Sequence, residues 1–243
     1  NVKKGIQQAP HRSLFNALGM TKEEMDKVAA VLKKLAAEYP DRRLTFCLDV
    51  SYIDFDGTFE ETRSIFDSIH DMPENMVTLV VFGMSKSYTM CGMRCSAIVC
   101  LAETKEAADL FKAAMSYSSR SVWSNVVRIA QRILVDINLN PEVKAEVDKE
   151  RLVFSELITK SGKTFYGEAQ RVGLKCCPYK HGYFIAIPCK NPAKVAAYLE
   201  EEHVYVVPQK KGLRFSPCAV TTDKCLRAPA IIKKAVDRVE AEA

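Results

Sequence analysis

A lysine, an arginine, an acid and a phenol stand at the ends of apolar runs in this chain, and together they could do amine chemistry on a charged ligand. In Val80-Val-Phe-Gly83-Met-Ser85-Lys86 a β-branched run closes in a small-residue turn, and the lysine follows at once. Arg94 comes after Gly92 and leads into a second apolar run, Ala97 to Leu101. A lysine held in a loop beside buried strands can be desolvated and act as a Schiff-base former. An arginine there can grip a phosphate with a fixed fork of donors. Upstream, Leu44-Thr-Phe-Cys-Leu-Asp49-Val-Ser-Tyr52 reads as a buried strand ending in the acid and the phenol. An unpaired carboxylate at the end of an apolar run is costly, so Asp49 is expected to face a cation. The plainer alternatives are a strand-end turn residue for Asp49 and solvated surface charges for Lys86 and Arg94.

Taken together, Asp49-Val-Ser-Tyr52, Ser85-Lys86, Arg94 and Lys211-Gly-Leu-Arg214-Phe-Ser resemble class I aminotransferases of the aspartate/aromatic type, which are fold-type I pyridoxal-phosphate enzymes. The resemblance runs from about Thr21 to the end. It implies that Lys86 forms the Schiff base with pyridoxal 5'-phosphate and then shuttles the substrate Cα proton as base and acid. Asp49 would pair with the pyridinium nitrogen, so that the ring serves as an electron sink. Tyr52 would donate to the ring O3′, Arg94 would bind the cofactor phosphate beside Ser85, and Arg214 would hold the substrate α-carboxylate in a bidentate grip. The sequence departs from the family at Gly83, often a phosphate-binding serine, and at Thr89, Cys95 and Ser96. Family members are longer. The Gly-rich loop, the ring that stacks on the cofactor and the Asn-Pro-x-Gly motif have no counterpart here beyond a poor match at Asn16 to Gly19, so the chain reads as N-terminally truncated.

The 243 residues, 48% hydrophobic, suffice for one large or two small domains. The longest apolar runs are of strand length, so no membrane partner is expected. The net charge of +5 comes without an aromatic-interleaved basic patch, which argues against nucleic acid. Nine cysteines, an odd number without paired zinc spacing, read as reduced thiols of a cytoplasmic protein.

The elements that must position the site follow from pattern. Residues 1–20 form an irregular basic lead-in. Thr21-Lys-Glu-Glu24 is a capping box opening a helix that uses Met25, Val28, Val31, Leu32 and Leu35 and stops before Pro40. Leu44 to Val50 reads as a parallel strand covered on both faces. Since side chains three apart on a strand point oppositely, the chain must bend after Asp49. A helix over Phe59 to Ile69, a strand over Met76 to Phe82 and a strand from Arg94 to Leu101 complete a strand–helix–strand–loop–strand series. Such α/β sheets bind ligands at the carboxyl ends of their strands, where Asp49 and Lys86 lie. Helices are expected over Thr104 to Ser116 and over Val122 to Ile137, the latter with Val126, Ile129, Ile133 and Ile137 on one face. Ser116 to Ser121 would join them, and Trp123 would pack. Pro141 restarts a helix reaching about Lys160.

Strands at Gly182 to Ile187, Val204 to Val207 and Leu213 to Ser216, with helices at Pro192 to Glu202 and Thr222 to Glu240, form a small α+β unit, and Pro229 should sit in the first turns of the last helix or kink it. The expected organisation is a lead-in at 1–20, a partial cofactor-binding large domain at 21–139 and a small C-terminal domain at 140–243. The large part would be the second half of a PLP-transferase domain, with a mostly parallel sheet flanked by helices.

The expected function is transamination between an amino acid and a 2-oxo acid by a homodimer. A β-eliminating C–S lyase shares the same lysine, aspartate and arginines. A non-catalytic remnant that keeps the fold, binds the cofactor weakly and oligomerises is the alternative from another class.

Overall fold

The computed structural model describes residues 20–55 and 57–242; the lead-in before Met20 lies outside them. The chain is α/β and divides into two compact bodies, Met20–Leu152 and Val153 onward.

The first body opens with α1 (Lys22–Glu38), capped as its sequence demands: Thr21 Oγ1 accepts from Glu24 N at 3.2 Å and Glu24 Oε2 accepts from Thr21 N at 3.1 Å. Its buried residues are Met25, Ala29 and Ala36, while Val31 and Leu35 are exposed. The small alanines take the inward stripe, and the expected apolar stripe is displaced around the helix. Next come β1 (Leu44–Asp49), a short helix α2 (Phe59–Arg63) continued by a 3-10 segment (Ser64–Ser68), β2 (Met76–Gly83) and β3 (Ser96–Leu101). β1 pairs parallel with β2, from Leu44 opposite Met76 to Asp49 opposite Val81, and β2 pairs antiparallel with β3. β1 is not covered on both faces. Its residues alternate, with Leu44, Phe46 and Leu48 half-buried and Thr45, Cys47 and Asp49 exposed. Phe46 and Leu48 pack against a core of Met25, Val50, Ile53, Ile65, Ile69 and Val80, each such buried side chain contributing about 1.5–3 kcal/mol. β3 is exposed along most of its length.

The helical pair that follows is displaced from the sequence reading. α4 (Lys105–Trp123), numbered after the single turn α3 (Met84–Ser87), runs straight through the serine-rich stretch, and α5 (Arg128–Leu139) begins later. The serines are satisfied inside the helix: Ser121 Oγ donates to Ser118 O at 2.8 Å, and Ser119 Oγ accepts from Trp123 Nε1 at 2.9 Å. Trp123 is exposed rather than packed. The inward face of α5 is Ala130 and Ile137, with Ile129 outside. α6 (Pro141–Arg171) is longer than expected and crosses from the first body into the second.

The second body is a three-stranded antiparallel sheet of β4 (Ile185–Pro188), β5 (Val207–Gln209) and β6 (Gly212–Phe215), in the order β4-β6-β5, with helices α7 (Pro192–Glu201) and α8 (Thr222–Ala241). The stretch from Val204 to Val206 is not strand, and His203 takes a left-handed φ of 56° just after α7. Phe165 stacks on Phe215 with ring centroids 4.2 Å apart, in a core that includes Ile185, Ile187, Leu199, Leu213 and Ile232. Pro229 lies buried inside α8. No helix among the described residues is long and apolar enough to cross a membrane.

Candidate active site

Lys86 follows β2 on one helical turn, α3, and that turn is anchored by Met84. The Met84 side chain is fully buried. Its N–H donates to Cys95 O at 3.0 Å, and its carbonyl accepts from Tyr88 N at 3.2 Å and Met90 N at 3.3 Å. Thr89 N closes on Lys86 O at 2.9 Å while Thr89 takes a left-handed φ of 53°, which ends the turn. Ser85 and Lys86 are half-buried. Lys86 Nζ lies 5.8 Å from the centroid of the Tyr52 ring, within cation–π range.

Tyr52 reaches that position because the chain bends where the spacing of Asp49 and Tyr52 requires it. Val50 N donates to Val81 O at 2.9 Å, extending the strand pairing by one residue. Ile53 N then closes on Val50 O at 3.0 Å, and a 3-10 turn (Ile53–Phe55) is pinned by the buried side chains of Ile53 and Phe55. Asp49 ends β1 on the exposed face. Its Oδ1 accepts from Ser51 N at 2.9 Å and Ser51 Oγ at 2.5 Å, where a cation was expected. The parallel register puts the end of β1 beside the end of β2, so Asp49, Tyr52 and Lys86 share one edge of the sheet.

Arg94 is exposed, in a left-handed conformation of φ 49°, and its Nη1 donates to Cys91 O at 2.9 Å. Arg214 belongs to the second body. It sits centrally in β6, opposite Ala186 of β4 and Val207 of β5. Its guanidinium carbon lies 4.4 Å from the Phe184 ring centroid, and its Nε is buried with no hydrogen-bond partner among the described residues. An unsatisfied buried N–H of this kind costs about 1–3 kcal/mol, and a carboxylate is the acceptor that guanidinium geometry suits best.

Sequence reasoning missed a charged cluster behind the lysine turn. Asp54, with only 6% of its side chain exposed, pairs with Arg63 and, at 3.3 Å, with Arg151. Arg151 also pairs with Asp148, donates from Nη1 to Ser87 O at 3.2 Å and lies 5.4 Å from the Tyr88 ring centroid. Burial works to raise the Asp148 carboxyl, but the Lys144 ammonium and Arg151 outweigh it and hold the group below its ordinary value. The only local signal was an acid, Asp54, inside a short turn; Arg63 lies nine residues on, but Arg151 is far away in sequence.

The donor set at the sheet edge fits pyridoxal phosphate: a primary amine for its aldehyde, a carboxylate for its pyridine nitrogen and a phenol for its ring oxygen. Both bonds from Ser51 to Asp49 use Oδ1, which leaves Oδ2 the natural acceptor for a ring N–H.

Comparison with known proteins agrees with this architecture. Residues 11–232 match the family model for "Aminotransferase class I and II". The chain belongs to that family, which is a family of enzymes. It is similar in structure to an aminotransferase from Anaerococcus prevotii, with 30% identity, a TM-score of 0.84, and coverage of 89% of this chain and 52% of that one. It also shares the fold of an aromatic-amino-acid aminotransferase from Burkholderia pseudomallei, solved covalently bound to pyridoxal phosphate. There the identity is 18%, the TM-score 0.69, and the coverage 91% of this chain and 53% of that one. This chain therefore spans about half the length of the solved aminotransferases it matches. Separately, 26 residues, 11% of this chain, are 88% identical to a dihydroxy-acid dehydratase of Lachnoclostridium phytofermentans, where they make up 5% of the length.

Proposed function

We propose that this chain carries the lysine half of a pyridoxal-phosphate transamination site and moves an amino group between an amino acid and a 2-oxo acid. The observation that carries this reading is Lys86 at the carboxyl end of β2, its ammonium over the Tyr52 ring, beside the end of the parallel strand that bears Asp49. When bound, pyridoxal phosphate supplies an aldehyde that condenses with amines and a ring that accepts electrons. Lys86 would hold the cofactor and then, as a free amine, take the substrate Cα proton on Nζ and return it. Asp49 would keep the ring nitrogen protonated, and Tyr52 would donate its phenol proton to the ring oxygen. Ser85 and Arg94 would hold the phosphate, for which Arg94 would give up its bond to Cys91 O in favour of a stronger charge-assisted one. Arg214 would take the substrate carboxylate, consistent with its buried, unsatisfied Nε.

A homodimer fits the apolar side chains left exposed on β3 and α4, among them Ile98, Val99, Leu110 and Val122. A cytoplasmic, reducing location fits nine free thiols.

The test is to add pyridoxal phosphate to the purified chain and record its absorption, with Lys86→Ala alongside. A visible band that needs Lys86 and is bleached by an amino-acid donor is expected. No band, or an equal band in the variant, sinks the reading and favours the non-catalytic alternative. Transfer to 2-oxoglutarate, set against release of ammonia and pyruvate, separates transaminase from C–S lyase.

A further inference from the structure

Arg151 is bonded to the segments that follow both Lys86 and Tyr52. On one side it reaches Asp54, two residues beyond Tyr52 and in the 3-10 turn that fixes the bend. On the other it donates to Ser87 O and lies against the Tyr88 ring, directly after Lys86. Two further contacts steady these ends. Arg63 takes the other oxygen of Asp54 while its own guanidinium lies 4.5 Å from the Phe59 ring. Asn138 Nδ2 donates to Tyr88 Oη at 3.2 Å. A single guanidinium thus closes a loop from Tyr52 through Asp54, Arg151 and Ser87 to Lys86, all within the first body. Nη1 faces both Ser87 O and Asp54 while Nη2 is held by Asp148; a lysine at this position has one nitrogen and no second arm with which to keep Asp148 as well.

We infer that Arg151, held by Asp148 and paired with Asp54, is a positioning residue that holds the lysine turn to the tyrosine turn and so keeps the Lys86 amine over the Tyr52 ring. This rests on the reading of Lys86 as the reactive amine. It adds that the alignment of that amine is set from behind by a charged clamp. Small misplacements at reacting centres can cost on the order of a hundredfold in rate, so the clamp has a function beyond stability.

The test needs no cofactor. The full chain and Arg151→Met are treated with a trace of acetic anhydride, and labelling of each lysine is read by peptide mass spectrometry. The ratio of Lys86 to Lys33 and Lys105 in the same body is the readout. Freed from its ring, Lys86 becomes more exposed, and its ratio is expected to rise about threefold or more while the other two lysines keep theirs. Arg151→Lys, which retains the charge facing Asp54, is expected to recover thermal stability but not the Lys86 ratio. It also carries the test if Arg151→Met does not fold. An unchanged ratio in the folded variants overturns the inference, as does a rise shared by all three lysines, which would report general loosening. Pyridoxal phosphate followed by borohydride, with mapping of the modified lysine in the parent chain, tests the underlying reading on its own. Modification elsewhere than Lys86 refutes that reading, while the labelling ratio still decides whether Arg151 fixes the turn.

Discussion

Gly212 offers a sharp test of how the strand carrying Arg214 is built. A Cβ at Gly212 would overlap the carbonyl oxygen of Ile187 and would meet Ile187 C and Pro188 Cα at 3.0 Å. These are backbone atoms of β4, the strand to which β6 is paired through Pro188 opposite Gly212 and Ile187 opposite Leu213. No side-chain rotation relieves the overlap, so Gly212→Ala must push β4 and β6 apart. Overpacking costs about 1–3 kcal/mol, and loosening one ladder hydrogen bond adds about 1 kcal/mol; the sum is about 2–4 kcal/mol. For a body of this size each kcal/mol lowers the melting midpoint by about 4–8 °C, so the expected loss exceeds about 8 °C. Gly167 is the control, for it lies in α6, where an added Cβ would meet nothing within 4 Å. Gly167→Ala should stabilise by about 0.5–1 kcal/mol through helix propensity alone. The assay is thermal unfolding by circular dichroism, with hydrogen exchange of the Leu213–Phe215 amides to localise the effect. If Gly212→Ala and Gly167→Ala move the midpoint in the same direction, the close approach of β4 and β6 is not what the strand depends on.

Two further outcomes follow from the titrating groups. Burial, aided by the neighbouring Cys177 thiol, pushes the Cys176 thiol up from 9.0 to about 12. Since the thiolate is the nucleophile, but a thiolate of higher pKa is also more reactive, Cys176 should alkylate at least about tenfold more slowly than an ordinary thiol. Iodoacetamide mapping at pH 8 checks this against exposed Cys47, and equal rates would count against its burial. Asp148 is held below its ordinary value of 3.8 in the folded chain. Its carboxylate therefore contributes stability that is fully present above that value and is lost as pH falls through the lower folded value. Urea midpoints should separate the parent from Asp148→Asn at pH 7 and converge in strong acid; a gap that persists at pH 2 would assign the effect to something other than the charge.

How much of this was legible in the sequence follows the range of the interactions. The capping box at Thr21 and Glu24 is local and was readable. The one at Thr58 and Glu61 has the same spacing and opens α2, a local signal that sequence reasoning missed. The bend after Asp49 was forced by the parity of strand side chains. The serine-rich stretch misled because serine hydroxyls favour loops only when the helix gives them nothing to bond, and here Ser118 O and Trp123 Nε1 do. The burial of β1, β3 and Trp123 was misjudged because apolar composition shows what a face could cover, not what lies against it. Asp54 looked like an ordinary turn acid. Its meaning depends on Arg151, which pattern reading had no means of pairing with it across so much intervening chain.

The same contrast bears on the site itself. Lys86 and Tyr52 stood out because the proposed chemistry constrains their type, and the order of the motif is legible in the chain. Arg151 is constrained by geometry alone. It must span a carboxylate and a carbonyl that two separate turns present, and many sequences could supply that brace from other positions. The side chains proposed to do the chemistry are therefore the readable part of the site, whereas those proposed to aim them are found by tracing which buried charges connect one turn to the next. In this chain that trace runs from Tyr52 to Lys86 through one aspartate and one arginine, and each of its links can be cut by a single substitution.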